Sequence, residues 1–81
     1  MPMANRTHGD KNVKIRILAI ERMLRKDRVI SINEIKQKLE VMYDIYVDRK
    51  TIIDDIRAID CMIPIEVKTG KFGGYRIMTF D

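Results

Sequence analysis

YVDRKTIIDDIRAID, residues 46–60, decides how the rest of the chain is read. Asp48 is a good helix N-cap, because a short carboxylate accepts the unpaired N–H groups of a first turn. Val47 before it and Ile52 after it stand where a hydrophobic pair staples a helix start. At about 100° per residue, Ile52, Ile56 and Ile59 fall on one side of such a helix. Lys50, Asp54, Arg57 and Cys61 fall on the other, with Ile53 on the flank. The stretch predicts a helix over 49–60, anchored by isoleucine, that starts with cations and turns acidic.

Upstream, SINE at 31–34 has the spacing of a capping box: Ser31 caps, and Glu34 returns the bond. Ile30 and Ile35 suit the staple, and Ile32, Ile35, Leu39 and Met42 continue an apolar stripe. A second helix is expected from about Ile32 to Met42. YDIYV, with turn-prone Asp44, separates it from the third. Before it, residues 29–31 are short and β-branched, which fits a brief strand. Val13, Ile17, Ile20 and Leu24 recur at helical spacing, and Ile15, Leu18 and Met23 widen that stripe. This first helix is expected from Asn12 to Lys26, after a flexible polar tail over 1–11.

Downstream, Pro64 disfavours helix at the residue before it. IEVK, at 65–68, alternates as a strand does, TGKFGG is a glycine-rich turn, and YRIMTF is a second strand. A lone hairpin is marginal and needs the helices, or a third strand at 29–31, to cover it. The expected fold is α+β, mostly α: a winged helix-turn-helix over 12–81, three helices with a C-terminal β-hairpin wing.

The 81 residues suffice for one small core, which must be aliphatic, since Trp is absent and only three Tyr and two Phe occur. No apolar run approaches the roughly 20 residues of a membrane span. The polar start lacks a secretory signal. A single cysteine excludes an internal disulfide and fits a reducing cytosol. Net charge is +4, concentrated at the front: residues 1–28 hold eight Lys/Arg against three Asp/Glu, whereas 29–60 hold five against seven. A polyanionic partner is compatible with this balance.

The segments SINEIKQKL, VDRKTIIDDI and GKFGGYRI, in this order, resemble the N-terminal winged helix-turn-helix of bacterial DeoR-like and WYL-domain transcriptional regulators. The resemblance covers about Asn12 to Phe80. It implies double-stranded DNA as partner, homodimerisation, transcription regulation and a cytoplasmic location. It also implies a C-terminal sensing domain, absent from this chain, and a recognition helix at 49–60. The connection between Leu39 and Asp48 is longer than the tight turn of simple helix-turn-helix proteins.

In helix-turn-helix docking the first turn of the recognition helix reaches base edges in the major groove. Arg49 and Lys50 suit guanine acceptors, Thr51 suits base edges or phosphate, and Ile53 suits a thymine methyl. Asp54 repels phosphate but can accept from cytosine's amino group, and Arg57 lies on the same outward side. The wing, 69–75, offers Lys71 at its tip for phosphate; Arg76 follows on the strand, on phosphate or on the solvent face. The competing reading is local: Arg49 and Lys50 balance Asp54 and Asp55 in surface ion pairs. Tyr75 is expected to pack against the third helix. Arg6 and Lys11 are candidates for weak flanking contacts.

Catalysis has little support. The single histidine, His8, falls in the expected tail, and Cys61 is expected as a buried or half-buried small residue. Asp54, Asp55 and Asp60 do not share one helix face, and no phosphate-loop spacing occurs. No enzyme activity, cofactor or metal is expected. The alternative function is a winged-helix protein-interaction module, adaptor or antagonist of a regulator, favoured by the acid content of the third helix.

Overall fold

In the computed structural model the chain forms α1 (Pro2–Leu24), α2 (Ile32–Tyr43), α3 (Arg49–Asp60), β1 (Ile65–Lys68) and β2 (Gly74–Ile77). The structure describes the backbone of residues 2–26 and 28–78, and side chains from Asn12 within that range. The architecture is α+β and mostly helical, with the two-stranded antiparallel hairpin following the helices as in a winged helix.

Helix starts follow the caps that the sequence offers. The Glu34 N–H donates to Ser31 Oγ at 3.1 Å, and the Thr51 N–H donates to Asp48 Oδ1 at 2.9 Å. The capping box is only half closed, because the Glu34 carboxylate accepts from Arg28 at 2.7 Å instead of returning to Ser31. That guanidinium holds the Glu34 carboxyl below its ordinary range. At the other end of α2, Asp44 adopts the left-handed conformation (φ 56), and the Ile45 N–H reaches Leu39 O at 3.0 Å. Asp tolerates this geometry better than most side chains. The long connection is therefore a helix stop followed by an extended run, with Ile45 and Val47 packed against the core.

α1 starts at Pro2, not at Asn12, so residues 2–11 are helical backbone where a tail was expected. Proline costs little in a first turn, where its missing N–H has no partner anyway. Once residues 12–24 nucleate the helix, each further turn adds hydrogen bonds without a new nucleus. The side chains of Arg6, His8 and Lys11 lie outside the described residues.

The core is aliphatic, as composition requires. Ile20 and Leu24 of α1, Ile35 and Leu39 of α2, and Ile52 of α3 are completely buried, with Ile30 and Ile77 closing the hairpin side. Of the expected α1 stripe, Ile20 and Leu24 are buried and Ile17 packs against the core, while Val13 stands outside it. Ala19, Ile20, Met23 and Leu24 face inward, while Val13, Ile15 and Leu18 are exposed, Leu18 at 64%.

In the hairpin, Ile65 pairs with Ile77 and Val67 with Tyr75 on the helix-facing side; Glu66 pairs with Arg76 on the other. The strand expected at 29–31 is reduced to one antiparallel bridge, Ile30 to Tyr75, with hydrogen bonds of 2.8 and 2.9 Å. A Cβ at Gly74 would collide with the Ile30 carbonyl, so this close approach requires glycine. The second strand, expected over 75–80, spans Gly74–Ile77; residues 79 and 80 lie outside the described residues.

Candidate nucleic-acid interface

α3 presents two unlike sides. Ile52, Ile56 and Ile59 are buried, as the sequence pattern requires, and so is Asp55. Lys50, Asp54 and Arg57 form an exposed row, with Thr51 half-buried beside it. The Thr51 side chain, followed by its N–H, holds the Asp48 carboxyl below the ordinary carboxylate range, with the Lys50 charge adding to the effect. The first turn of α3 is thus clamped by its cap.

Arg49 and Lys50 separate. The Arg49 guanidinium turns back toward α2 and donates to Asn33 Oδ1 at 2.6 Å. It therefore lines a hollow of about 350 Å³ between the start of α2 and the hairpin, together with Ser31, Asn33, Lys68, Thr69 and Gly70. Arg49 and Lys68 line it together with Ile32 and Asn33, the first residues of α2. A helix start of this kind suits an anionic oxygen. Sequence reading missed Asn33 and Lys68. Asn33 follows the Ser31 cap by two positions, and Lys68 closes the IEVK strand, but only folding brings them together.

Ile53 is half-buried rather than freely outward. It lines a cleft of about 200 Å³ between α3 and the hairpin with Ile56, Arg57, Asp60, Ile65, Val67 and Tyr75. Tyr75 packs against the core, as expected. Asp60 closes the end of this cleft by accepting the Ile65 N–H at 3.0 Å, which ties the end of α3 to the start of β1.

At the hairpin turn, Gly70 takes φ +105, a conformation side chains rarely adopt. Lys71 is exposed there, its Nζ 5.6 Å from the centroid of the Phe72 ring, which is 80% exposed. Arg76 is set apart from Lys71: it reaches Glu66 across the hairpin at 2.7 Å. Its charge is engaged on the sheet face away from the helices.

The expected surface pairing of Arg49 and Lys50 with Asp54 and Asp55 does not occur for Asp55. Arg16 of α1 grips Asp55 with two hydrogen bonds, Nε to Oδ2 and Nη2 to Oδ1, the latter at 3.1 Å. The spacing does carry this signal: Asp55 stands three residues after Ile52 and four before Ile59, inside the apolar stripe. Arg16 stands four before Ile20 on α1. A complementary pair at core positions of two helices points to an internal salt bridge. Cys61, expected at least half-buried, is exposed at the C-terminal end of α3, on the side away from the isoleucines. No helix among the described residues is long and apolar enough to cross a membrane.

Set against known proteins, the chain matches no family model, no curated protein and no solved structure.

Proposed function

We propose that this chain is a sequence-specific, double-stranded DNA-binding domain of a cytoplasmic transcriptional regulator of the DeoR-like, WYL-domain kind. α3 enters the major groove, and the wing and the α2–hairpin hollow hold phosphates on either side. The observation that carries this reading is the exposed row Lys50, Asp54 and Arg57 on a capped helix whose opposite side is fully engaged in the core. Lys50 and Arg57 are placed for guanine acceptors and Asp54 for a cytosine amino group. Arg49, Lys68 and Lys71 are placed for phosphate, which positions without reading sequence.

The acids of α3, which favour a protein-contact module, weigh less once placed. Asp55 is buried against Arg16 and Asp60 accepts the Ile65 N–H, so Asp54 stands alone among them in the outward row. A single domain reads a short site, so the regulator acts as a homodimer on two half-sites.

Selection of bound duplexes from a random pool tests the proposal. Affinity is expected to fall with salt, with a log–log slope of about −0.9 per phosphate neutralised. Lys50→Ala relaxes base preference at one position, whereas Lys71→Ala weakens all duplexes alike. Absence of duplex binding at low salt, with a protein recovered in a pull-down free of DNA, selects the protein-contact reading instead.

A further inference from the structure

A second surface lies along α1 and α2, built from residues that the proposed DNA site does not use. α1 and α2 pass each other so that Lys38 stands beside Arg22 and Lys26, and Tyr43 beside Ile15 and Leu18. Two adjoining clefts, of about 260 and 210 Å³, share Arg22 and Tyr43 and form one groove. One cleft is apolar, with Ile15 and Leu18, and Met42 lies in the other; Leu18 and Met42 are 64% and 65% exposed, large values for side chains on helices. The cleft that holds Met42 is cationic as well, with Arg22, Lys26 and Lys38 on its rim, and no carboxylate among the described residues lines either cleft. Lys38 lies 3.6 Å from Glu34, whereas Arg22 and Lys26 have no ion-pair partner among the described residues.

We propose that this groove docks an acidic amphipathic helix of another protein, its apolar side on Leu18 and Met42 and its carboxylates against Arg22 and Lys26. An amphipathic helix laid in an apolar groove is a recurring recognition mode, and cationic rims select acidic partners. A second copy of this chain is disfavoured as occupant. A two-fold contact across this groove would gather Arg22, Lys26 and Lys38 of both copies onto one small patch, with no carboxylate among its described lining residues to offset them. The inference does not depend on DNA binding.

The probe is a synthetic helical peptide with leucines at i, i+3, i+4 and i+7 and glutamates at one end; a lysine-for-glutamate peptide is the control. Titration into isotopically labelled protein is followed by amide shifts. The glutamate peptide is expected to move Leu18, Arg22, Lys38 and Met42 while leaving Lys50 and Lys71 in place. Arg22→Glu weakens it about tenfold or more, and Leu18→Glu abolishes it, both at exposed positions that leave the circular dichroism unchanged. Equal binding of the lysine peptide, no binding, or a map on α3 and the hairpin overturns the proposal. So does capture by anionic phospholipid vesicles without the peptide, or self-association lost in Leu18→Glu.

Discussion

Replacing Arg16 by Met leaves Asp55 as an unpaired carboxylate in a site that is nearly closed to water. The two side chains are 15% and 8% accessible, so solvent screens the pair weakly. Stranding one member of such a pair costs about 3–5 kcal/mol. Small domains hold only about 5–15 kcal/mol in total. Asp55→Leu strands Arg16 instead, but its long stem lies beside the surface hollow at Asn12, and the guanidinium can swing toward water. The loss there is smaller. The double variant, Arg16→Met with Asp55→Leu, removes both charges and their desolvation together. It should be far more stable than the sum of the single losses predicts, and buried pairs replaced by apolar residues are often neutral or better. Urea unfolding followed by circular dichroism at neutral pH gives all four corners of the cycle, and the coupling should exceed about 2 kcal/mol. An Arg16→Met loss below about 1 kcal/mol, the range of exposed pairs, would refute the reasoning, as would additive single losses.

Glu34 and Asp48 both have carboxyls held below their ordinary range in the folded state. Their contribution is therefore complete at neutral pH and is lost as pH falls below about 4, through the lowered folded values. The urea midpoint should drop over that window, and Asp48→Asn, which keeps a capping oxygen, should flatten the Asp48 share; an unchanged pH profile contradicts this. Gly74→Ala should cost about 1–3 kcal/mol, because the added methyl meets the Ile30 backbone, and thermal unfolding reads it. Gly70→Ala should cost about 1 kcal/mol from backbone strain alone, since nothing lies within 4 Å of the added carbon. If Gly74→Ala proves the milder of the two, the Ile30 bridge is not what holds the hairpin. Phe72→Ala should leave the melting temperature unchanged, since the ring is 80% exposed, and a loss of stability would show that it packs.

What was legible in the sequence was local. Ser31, Asp48 and the isoleucine spacing of 52, 56 and 59 fix the starts and inner faces of α2 and α3 through contacts a few residues apart. The IEVK strand and the glycine turn are set the same way. Features that join distant segments were mostly not legible, the core positions of Arg16 and Asp55 being the exception. Arg49 reads as a base-contacting cation until α2 brings Asn33 to it, sixteen residues away in sequence. Lys68 reads as the end of a strand until the hairpin closes on the start of α2. Ile17, Ile20 and Leu24 were legible as the inner side of α1, but which flanking apolar residues join them, Ala19 and Met23 rather than Ile15 and Leu18, could not be chosen from its own pattern, because apolar residues surround much of that helix. What selects the observed face is Arg16, whose partner lies 39 residues further along.

That selection reaches the proposed interface. Apolar contact is non-directional, so an isoleucine stripe alone tolerates some roll of α3 about its axis. A two-point guanidinium–carboxylate contact has fixed geometry and does not. The Arg16–Asp55 pair therefore narrows the roll that the isoleucines leave open, and with it the spacing of Lys50, Asp54 and Arg57 against bases. The double apolar variant separates these roles: it keeps a stable fold but frees the roll. Selection from a random duplex pool should then return a broader set of sites, at similar total affinity for non-specific duplex, because Lys68 and Lys71 lie off α3 and are untouched. A sequence preference as narrow as that of the unaltered chain would mean that the isoleucines alone hold the helix in register, and that the buried pair has no part in specificity.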